Sequence, residues 1–103
     1  MKESMYKLNR KPSHPGEILK EEFLEPLGIS QTQLAEDLDT SFKTINELIN
    51  EKRNLSSELA LKLSRYLGTS VELWLNLQNH YDVYKILKDK GKEISKVSPL
   101  QAA

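Results

Sequence analysis

Apolar residues recur at the spacing of an amphipathic helix in five successive stretches of the chain. The first stretch begins at Pro15, because a proline suits the first position of a helix, and we expect it to end at Glu25-Pro26. Its inward-facing residues are predicted to be Ile18, Leu19, Phe23 and Leu24. Residues 1–12 show no such spacing and are predicted to form an arm in front of a domain that spans residues 13–87.

The second and third stretches are short and are separated by a tight turn. Ser30 and Gln33 have the spacing of a capping box, so a second helix is predicted over residues 31–38. Asp39-Thr40 form the turn, and Ser41 is expected to cap the third helix. We expect Asp39 to adopt the left-handed conformation that such a turn needs, since aspartate tolerates it better than most residues.

The third helix is predicted to have an apolar and a polar face. Ile45, Leu48 and Ile49 are spaced so that they point into the core. The opposite face carries Phe42, Lys43, Asn46, Glu47 and Asn50. Two short helices joined by a tight turn can place the second helix in the major groove of DNA, and a helix in that position needs a polar outer face. The pattern therefore predicts a helix-turn-helix that binds DNA.

Two longer helices complete the predicted fold, which is all-α. Ser56 is expected to cap the fourth helix, which closes at Gly68, and the fifth helix is predicted over about residues 71–87. The polar residues 88–103 are predicted to form a flexible tail, with a short strand at residues 93–97 as the alternative.

The fifth helix carries more apolar side chains than one small core absorbs, and they lie on several faces. One face is therefore predicted to pack in the protein's own core and another against a second copy of the chain. The residues assigned to this dimer contact are Trp74, Leu77, Tyr81 and Tyr84. A core that is wholly intramolecular is the alternative.

Composition narrows the classes of function. The 103 residues suit a single domain, and the absence of cysteine excludes disulfides and thiolate metal sites. His14 and His80 lie far apart and have no partner at ligand spacing, so we expect no enzyme, metal or cofactor.

No apolar run reaches the ~20 residues of a membrane span, and the N-terminus lacks the apolar region of a signal peptide. We therefore expect a cytoplasmic protein without a membrane partner.

The charges are unevenly distributed along the chain. Four basic and one acidic residue lie in residues 1–11, and five basic and two acidic residues lie in residues 85–96. Since the chain has 15 residues of each sign, the stretch between holds six basic and twelve acidic residues. An acidic middle weakens non-specific attraction to phosphates. A protein-interaction module that no longer binds DNA therefore stays open as an alternative.

Several segments resemble a known group of DNA-binding proteins. QTQLA at residues 31–35 and TSFKTINEL at residues 40–48 resemble the helix-turn-helix of phage repressor and Cro-type regulators. HPGE at residues 14–17 and ELWLNLQ at residues 72–78 extend the likeness, so that residues 13–84 are similar to the HigA/VapI antitoxins. Two positions depart from the family pattern. Asp39 and Glu51 both replace a usual glycine, and the Glu51 carboxylate would lie near the DNA backbone.

The resemblance implies a lambda-repressor-like fold of five helices and a homodimer that represses its own operon through a palindromic operator in double-stranded DNA. It also implies that the protein neutralises a toxin similar to HigB, a small mRNA endonuclease. Glu21, Glu22 and Glu25 on the first helix would attract a basic toxin, although a solvated helix face is the simpler explanation. A stand-alone regulator without a toxin is the alternative.

Four residues of the third helix are predicted to contact base edges. Lys43 would donate to guanine O6 and N7, and Asn46 would pair with adenine N6 and N7. Phe42 would either contact a thymine methyl or pack on its own domain. Glu47 would accept from cytosine N4 or deter unsuitable sequences.

Five further residues are predicted to contact phosphates. Gln31 would do so together with the free N–H groups of the second helix, unless it is an ordinary first-turn residue. Ser41 and Thr44 offer hydroxyl groups, although Ser41 is also needed as a cap. Lys52 and Arg53, in the loop after the third helix, would clamp the DNA backbone or be merely solvated.

Overall fold

The computed structural model describes residues 11–101, and the regular secondary structure in that range consists of five helices. Helix α1 has three contiguous segments, Pro15–Ile18, Leu19–Leu24 and Glu25–Leu27. It is followed by α2 (Gln31–Asp37), α3 (Phe42–Ile49), α4 (Ser57–Leu67) and α5 (Val71–Ser95). The predicted all-α fold is confirmed. Residues 1–10 of the predicted arm and residues 102–103 of the predicted tail lie outside the described residues.

Helix α1 continues through Pro26, where we expected it to stop. Its middle segment, Leu19–Leu24, is π-helical, and the N–H of Glu25 donates to the carbonyl of Lys20, five residues earlier. A proline ring within an α-helix clashes with the carbonyl four residues before it, and the wider π-helical turn relieves this clash. The helix ends only at Gly28, which adopts the left-handed conformation with φ of 68°.

The N-terminal ends of α2 to α5 are stabilised by serine side chains that accept a backbone N–H. These N-caps, each accepting from the third residue after it, are Ser30, Ser41, Ser56 and Ser70. The capping box predicted at α2 is only half formed. Ser30 accepts from the Gln33 N–H, but the Gln33 side-chain amide donates to Asp37 at 2.8 Å and does not bond to the backbone N–H of Ser30.

The hydrophobic core lies where the five helices meet. Its fully buried members include Leu19, Leu34, Ile45, Leu48, Leu63 and Trp74. The predicted inward stripe of α3 is confirmed, since Ile45 and Leu48 are completely buried and Ile49 is 8% exposed. This packing holds α3 by one face only, so its other face remains at the surface.

The start of α1 approaches α3 very closely at Gly16. A Cβ atom on Gly16 would lie only 1.8 Å from the backbone carbonyl oxygen of Leu48. Only glycine therefore fits between the first turn of α1 and the last turn of α3. The HPGE segment thus has a structural explanation.

Helix α5 is longer than predicted. It extends to Ser95, with a kink at Lys90, so the expected end near Leu87 and the alternative strand at residues 93–97 are both wrong. Apolar residues become sparse after Leu87. The lysines and the glutamate that follow are good helix formers, so the helix continues although this part of it does not pack on the core. Across residues 11–101, no helix has the combination of length and apolar character needed to cross a bilayer.

Candidate nucleic-acid interface

The turn between α2 and α3 has the predicted backbone conformation. Asp39 has a φ of 55°, which places it in the left-handed region. Its N–H donates to the Glu36 carbonyl at 3.1 Å, and the Thr40 N–H donates to the Ala35 carbonyl at 2.9 Å. These bonds close α2 and direct the chain into α3, so the predicted role of Asp39 is confirmed.

The outer face of α3 is polar and accessible, as a helix in the major groove requires. Lys43 is exposed at the first turn, and Phe42 beside it is 50% exposed. Half of the Phe42 surface is therefore accessible beside Lys43. Thr44, Asn46 and Glu47 are half-buried, and each forms side-chain hydrogen bonds.

A chain of amide side chains joins α2 to α3. Asn46 Nδ2 donates to Gln31 Oε1 at 3.0 Å, and Asn50 Nδ2 donates to Asn46 Oδ1 at 3.2 Å. An asparagine amide has two N–H donors and two oxygen lone pairs, so Asn46 retains one of each. One donor and one acceptor side by side are what the N6 and N7 edge of adenine requires. Gln31, the first residue of α2, is thus in direct contact with the outer face of α3.

Glu47 and Arg53, which were predicted to contact a base edge and a phosphate separately, form an ion pair. Arg53 donates to Glu47 Oε1 from Nε at 3.1 Å and from Nη2 at 2.8 Å. The Arg53 side chain is 41% exposed and that of Glu47 is 31% exposed, so this pair contributes little to stability. The Arg53 guanidinium is nevertheless shared between an internal carboxylate and the solvent. Lys52 next to it is exposed.

The loop after α3 is fixed by a buried residue that the sequence reasoning missed. Gln78 of α5 is 6% exposed, and its Oε1 accepts from the Leu55 N–H at 2.7 Å. Its Nε2 donates to Asn54 at 3.2 Å and to Asp82 at 2.8 Å. The signal was present in ELWLNLQ, where a glutamine falls on the inward side of an apolar helix.

His14 has a structural role at the edge of this loop. It is 1% exposed, and its Nδ1 accepts from the Gly16 N–H at 2.9 Å, which caps α1. Its ring packs edge-on against Tyr81, with 4.7 Å between the centroids. Burial lowers the pKa of His14, while the charge of Glu51 acts in the opposite direction. The neutral imidazole is therefore favoured in the folded protein.

The loop itself contains a second left-handed residue. Glu51 has a φ of 61°, so it occupies a conformation that favours glycine, and its N–H donates to the Leu48 carbonyl at 3.0 Å. Its carboxylate is exposed beside Lys52. The positive charge of this loop is thus reduced by Glu51 as well as by Glu47.

The family model for the helix-turn-helix matches residues 20–74, which is more than half of the chain. The chain belongs to the helix-turn-helix family. This family is a DNA-binding class and not an enzyme class. The matched residues run from α1 to the start of α5 and include the whole outer face of α3.

Relatives of this helix-turn-helix protein include antitoxins. Virulence-associated protein I of Dichelobacter nodosus is 44% identical over 84% of this chain and 80% of its own length. Antitoxin HigA-1 of Vibrio cholerae is 40% identical over 93% of this chain and 90% of its own. The solved structure of Pseudomonas aeruginosa antitoxin HigA with the higBA promoter matches with a TM-score of 0.83 at 41% identity, covering 87% of this chain and 99% of that one. The resemblance to the HigA/VapI antitoxins is therefore confirmed.

The residues assigned to a dimer contact have different environments in this helix-turn-helix protein. Trp74 is completely buried, its Nε1 donates to Thr69 at 2.7 Å, and its ring lies 5.4 Å from that of Phe23. It has no surface left for a partner, so its assignment to the dimer contact is wrong. Leu77 and Tyr84 are half-buried, as is Tyr81.

Proposed function

We propose that this helix-turn-helix protein is an antitoxin that binds a palindromic operator in its own promoter and represses its own operon. The observation that carries the proposal is the outer face of α3, where Lys43 is exposed and Asn46 retains one donor and one acceptor. The solved relative with its promoter supports the choice of DNA as ligand. A protein that acts on such an operator works in the cytoplasm.

In this proposal the interface residues divide into two groups. The base-contacting residues are Phe42, Lys43, Asn46 and Glu47. The phosphate-contacting residues are Gln31, Ser41, Thr44, Lys52 and Arg53. The pairing of Glu47 with Arg53 modifies this division, because Arg53 must loosen its contact with Glu47 before it can bind a phosphate fully.

The protein acts as a homodimer, because a palindrome presents two equivalent half-sites. Successive major grooves on one side of the duplex lie about 34–36 Å apart, so two copies of α3 must be held at that separation. We place the dimer contact on α5 at Leu77, Tyr81 and Tyr84, which are half-buried in the single chain. Their partial exposure leaves apolar surface for a second copy.

The second activity we propose is neutralisation of a small mRNA-cleaving toxin similar to HigB. The antitoxin relatives support this partner. Glu21, Glu22 and Glu25 are exposed on α1 and would attract a basic protein. The alternative is a regulator that represses its operon without any toxin.

Two measurements on the full-length protein test these activities separately. The first is binding to a duplex of its own promoter, measured against a scrambled duplex at several salt concentrations. The second is growth of cells that express the neighbouring open reading frame with and without this protein. Promoter binding with growth rescue supports the antitoxin, and promoter binding without any toxic neighbour supports the regulator. Equal affinity for both duplexes would show that α3 does not read sequence.

A further inference from the structure

The first half of the loop between α3 and α4 is bonded to α3. The backbone N–H of Lys52 donates to the Glu47 carbonyl at 2.8 Å. The Arg53 side chain donates to the Glu47 carboxylate from Nε at 3.1 Å and from Nη2 at 2.8 Å. These bonds begin and end within one short stretch of chain, so the start of the loop moves together with α3.

The second half of the same loop is bonded to α5 through Gln78, which is 6% exposed. Gln78 Oε1 accepts from the Leu55 N–H at 2.7 Å, and Nε2 donates to Asn54 Oδ1 at 3.2 Å. The other N–H of the amide donates to Asp82, one turn further along α5, at 2.8 Å, and this bond fixes the direction in which the amide faces. A buried hydrogen bond is costly to leave unmade, so the end of the loop moves together with α5.

The loop is therefore a connection between α3 and α5. In residues 11–101, α3 packs mainly against α1 and α2, and α5 packs mainly against α1 and α4. One route from α3 to α5 thus passes through the packing of α1, and a second route passes through the loop and Gln78. Apolar contacts are non-directional, whereas hydrogen bonds restrict both distance and angle, so the loop route adds the sharper constraint.

The position of α3 relative to α5 determines how a dimer meets DNA. The proposed dimer contact lies on α5, and the proposed base-contacting face lies on α3. The separation of the two α3 helices is therefore set by the α3–α5 geometry within each copy. A change of one base pair between two half-sites moves one of them by about 3.4 Å and rotates it by about 35° around the duplex.

We propose that Gln78 is a positioning residue that determines which half-site spacing the dimer accepts. It lies on α5 next to Leu77 of the proposed dimer contact, and it holds the loop that is bonded to α3. Two α3 helices held in this way are arranged for one spacing before DNA is bound, and a palindrome with another spacing cannot engage both. The inference rests on the proposed function, because it requires a dimer that binds a palindrome through α3.

The test measures how the affinity of the full-length protein depends on half-site spacing. The probes are the palindrome of its own promoter, versions with one base pair inserted or removed at the centre, and a duplex with a single half-site. Gln78→Met keeps the length of the side chain but removes the amide. It should reduce the preference for the natural spacing by roughly three- to tenfold, while the affinity for the single half-site changes by less than about twofold.

Two further substitutions separate positioning from a general loss of stability. Gln33→Met is the matched control, because the Gln33 amide bonds to Asp37 within α2, and its spacing preference should equal that of the wild type. Gln78→Glu should also weaken the spacing preference, since it places a second carboxylate beside Asp82. Asp82→Asn in that background should restore the preference, because the asparagine amide can donate to the new carboxylate.

The outcomes distinguish this inference from the proposed function. If Gln78→Met folds and retains the wild-type spacing preference, or if Asp82→Asn restores nothing, Gln78 does not position α3 and the proposed function stands. A wild type that binds its palindrome equally well at every spacing also contradicts the role of Gln78. If the wild type does not distinguish its promoter from a scrambled duplex, the proposed function itself fails.

Discussion

Asn46 Nδ2 donates to Gln31 Oε1 at 3.0 Å and so joins the outer face of α3 to the first residue of α2. The two residues are fifteen positions apart, and the contact orients the Asn46 amide before any DNA is present. A side chain oriented in advance loses less conformational entropy when it binds a base.

We predict that Asn46 and Gln31 are energetically coupled in operator binding. Asn46→Ala should weaken operator binding by about 1–3 kcal/mol and relax the preference at one A·T pair, because it removes a donor and an acceptor together. Gln31→Ala should weaken binding less. The part of its effect that comes from orienting Asn46 should disappear in the Asn46→Ala background, whereas the part that comes from its phosphate contact should remain. Fluorescence anisotropy on operator duplexes gives all four affinities of this cycle. Additive effects would show that Gln31 does not position Asn46.

Lys43 should contribute to sequence-specific binding, whereas Arg53 should contribute to binding of any DNA sequence. Lys43→Ala should weaken binding to the operator by about 1–3 kcal/mol and relax one base position, because Lys43 is exposed on the outer face. Arg53→Ala should weaken binding to all sequences and flatten the salt dependence. Titrations at several salt concentrations separate the two effects. Equal losses on operator and scrambled duplexes in both variants would contradict this assignment.

Glu47→Gln tests the ion pair directly. It leaves the shape of α3 unchanged but weakens the hold on the Arg53 guanidinium, so binding to scrambled DNA should become tighter by roughly threefold. Since the pair is partly exposed, thermal unfolding should change little. The control is Glu47→Gln in the Arg53→Ala background. There it should increase the affinity for scrambled DNA by a smaller factor, because no guanidinium remains to be released.

Substitution of Gly16 should destabilise the fold. The Cβ of Gly16→Ala would lie 1.8 Å from the Leu48 carbonyl oxygen, so α1 and α3 must separate, at a cost of about 3 kcal/mol or more. Gly91→Ala is the control, because its Cβ meets no atom within 4 Å, and it should not lower the free energy of unfolding of the core. Urea unfolding followed by the fluorescence of Trp74 measures both. Equal stability of the two variants would contradict the close approach.

The protein should become less stable when the pH falls below neutral. Burial lowers the pKa of His14 from 6.5, so the folded state favours the neutral ring that accepts from Gly16. The unfolded state takes up the proton first, and this contribution is complete above pH 6.5 and is lost as the pH falls through 6.5 toward the folded pKa. His14→Asn keeps a capping acceptor without this titration. Between pH 5 and 8, the free energy of unfolding should therefore change less with pH in the variant than in the wild type. Equal slopes for the two proteins would show that His14 does not cause the pH dependence.

The sequence by itself determined the five helices and the helix-turn-helix. The serine caps, the left-handed Asp39 and the inward stripe of α3 each depend on residues within about four positions of one another, so local chemistry fixes them. The helical period also indicates which side chains lie on the outer face of α3. The residues proposed to contact bases and phosphates could therefore be chosen from the sequence.

Only the tertiary structure decided how these residues are paired. The contacts of Gln31 with Asn46, of Gln78 with Leu55, and of Lys62 with Asp39 join residues 15 to 23 positions apart. The burial of Trp74 was likewise set by its packing against Phe23 from α1. No local pattern encodes such contacts, because they depend on how whole helices pack. The packing of five helices therefore determines which polar groups on α3 are already bonded and which remain for a ligand.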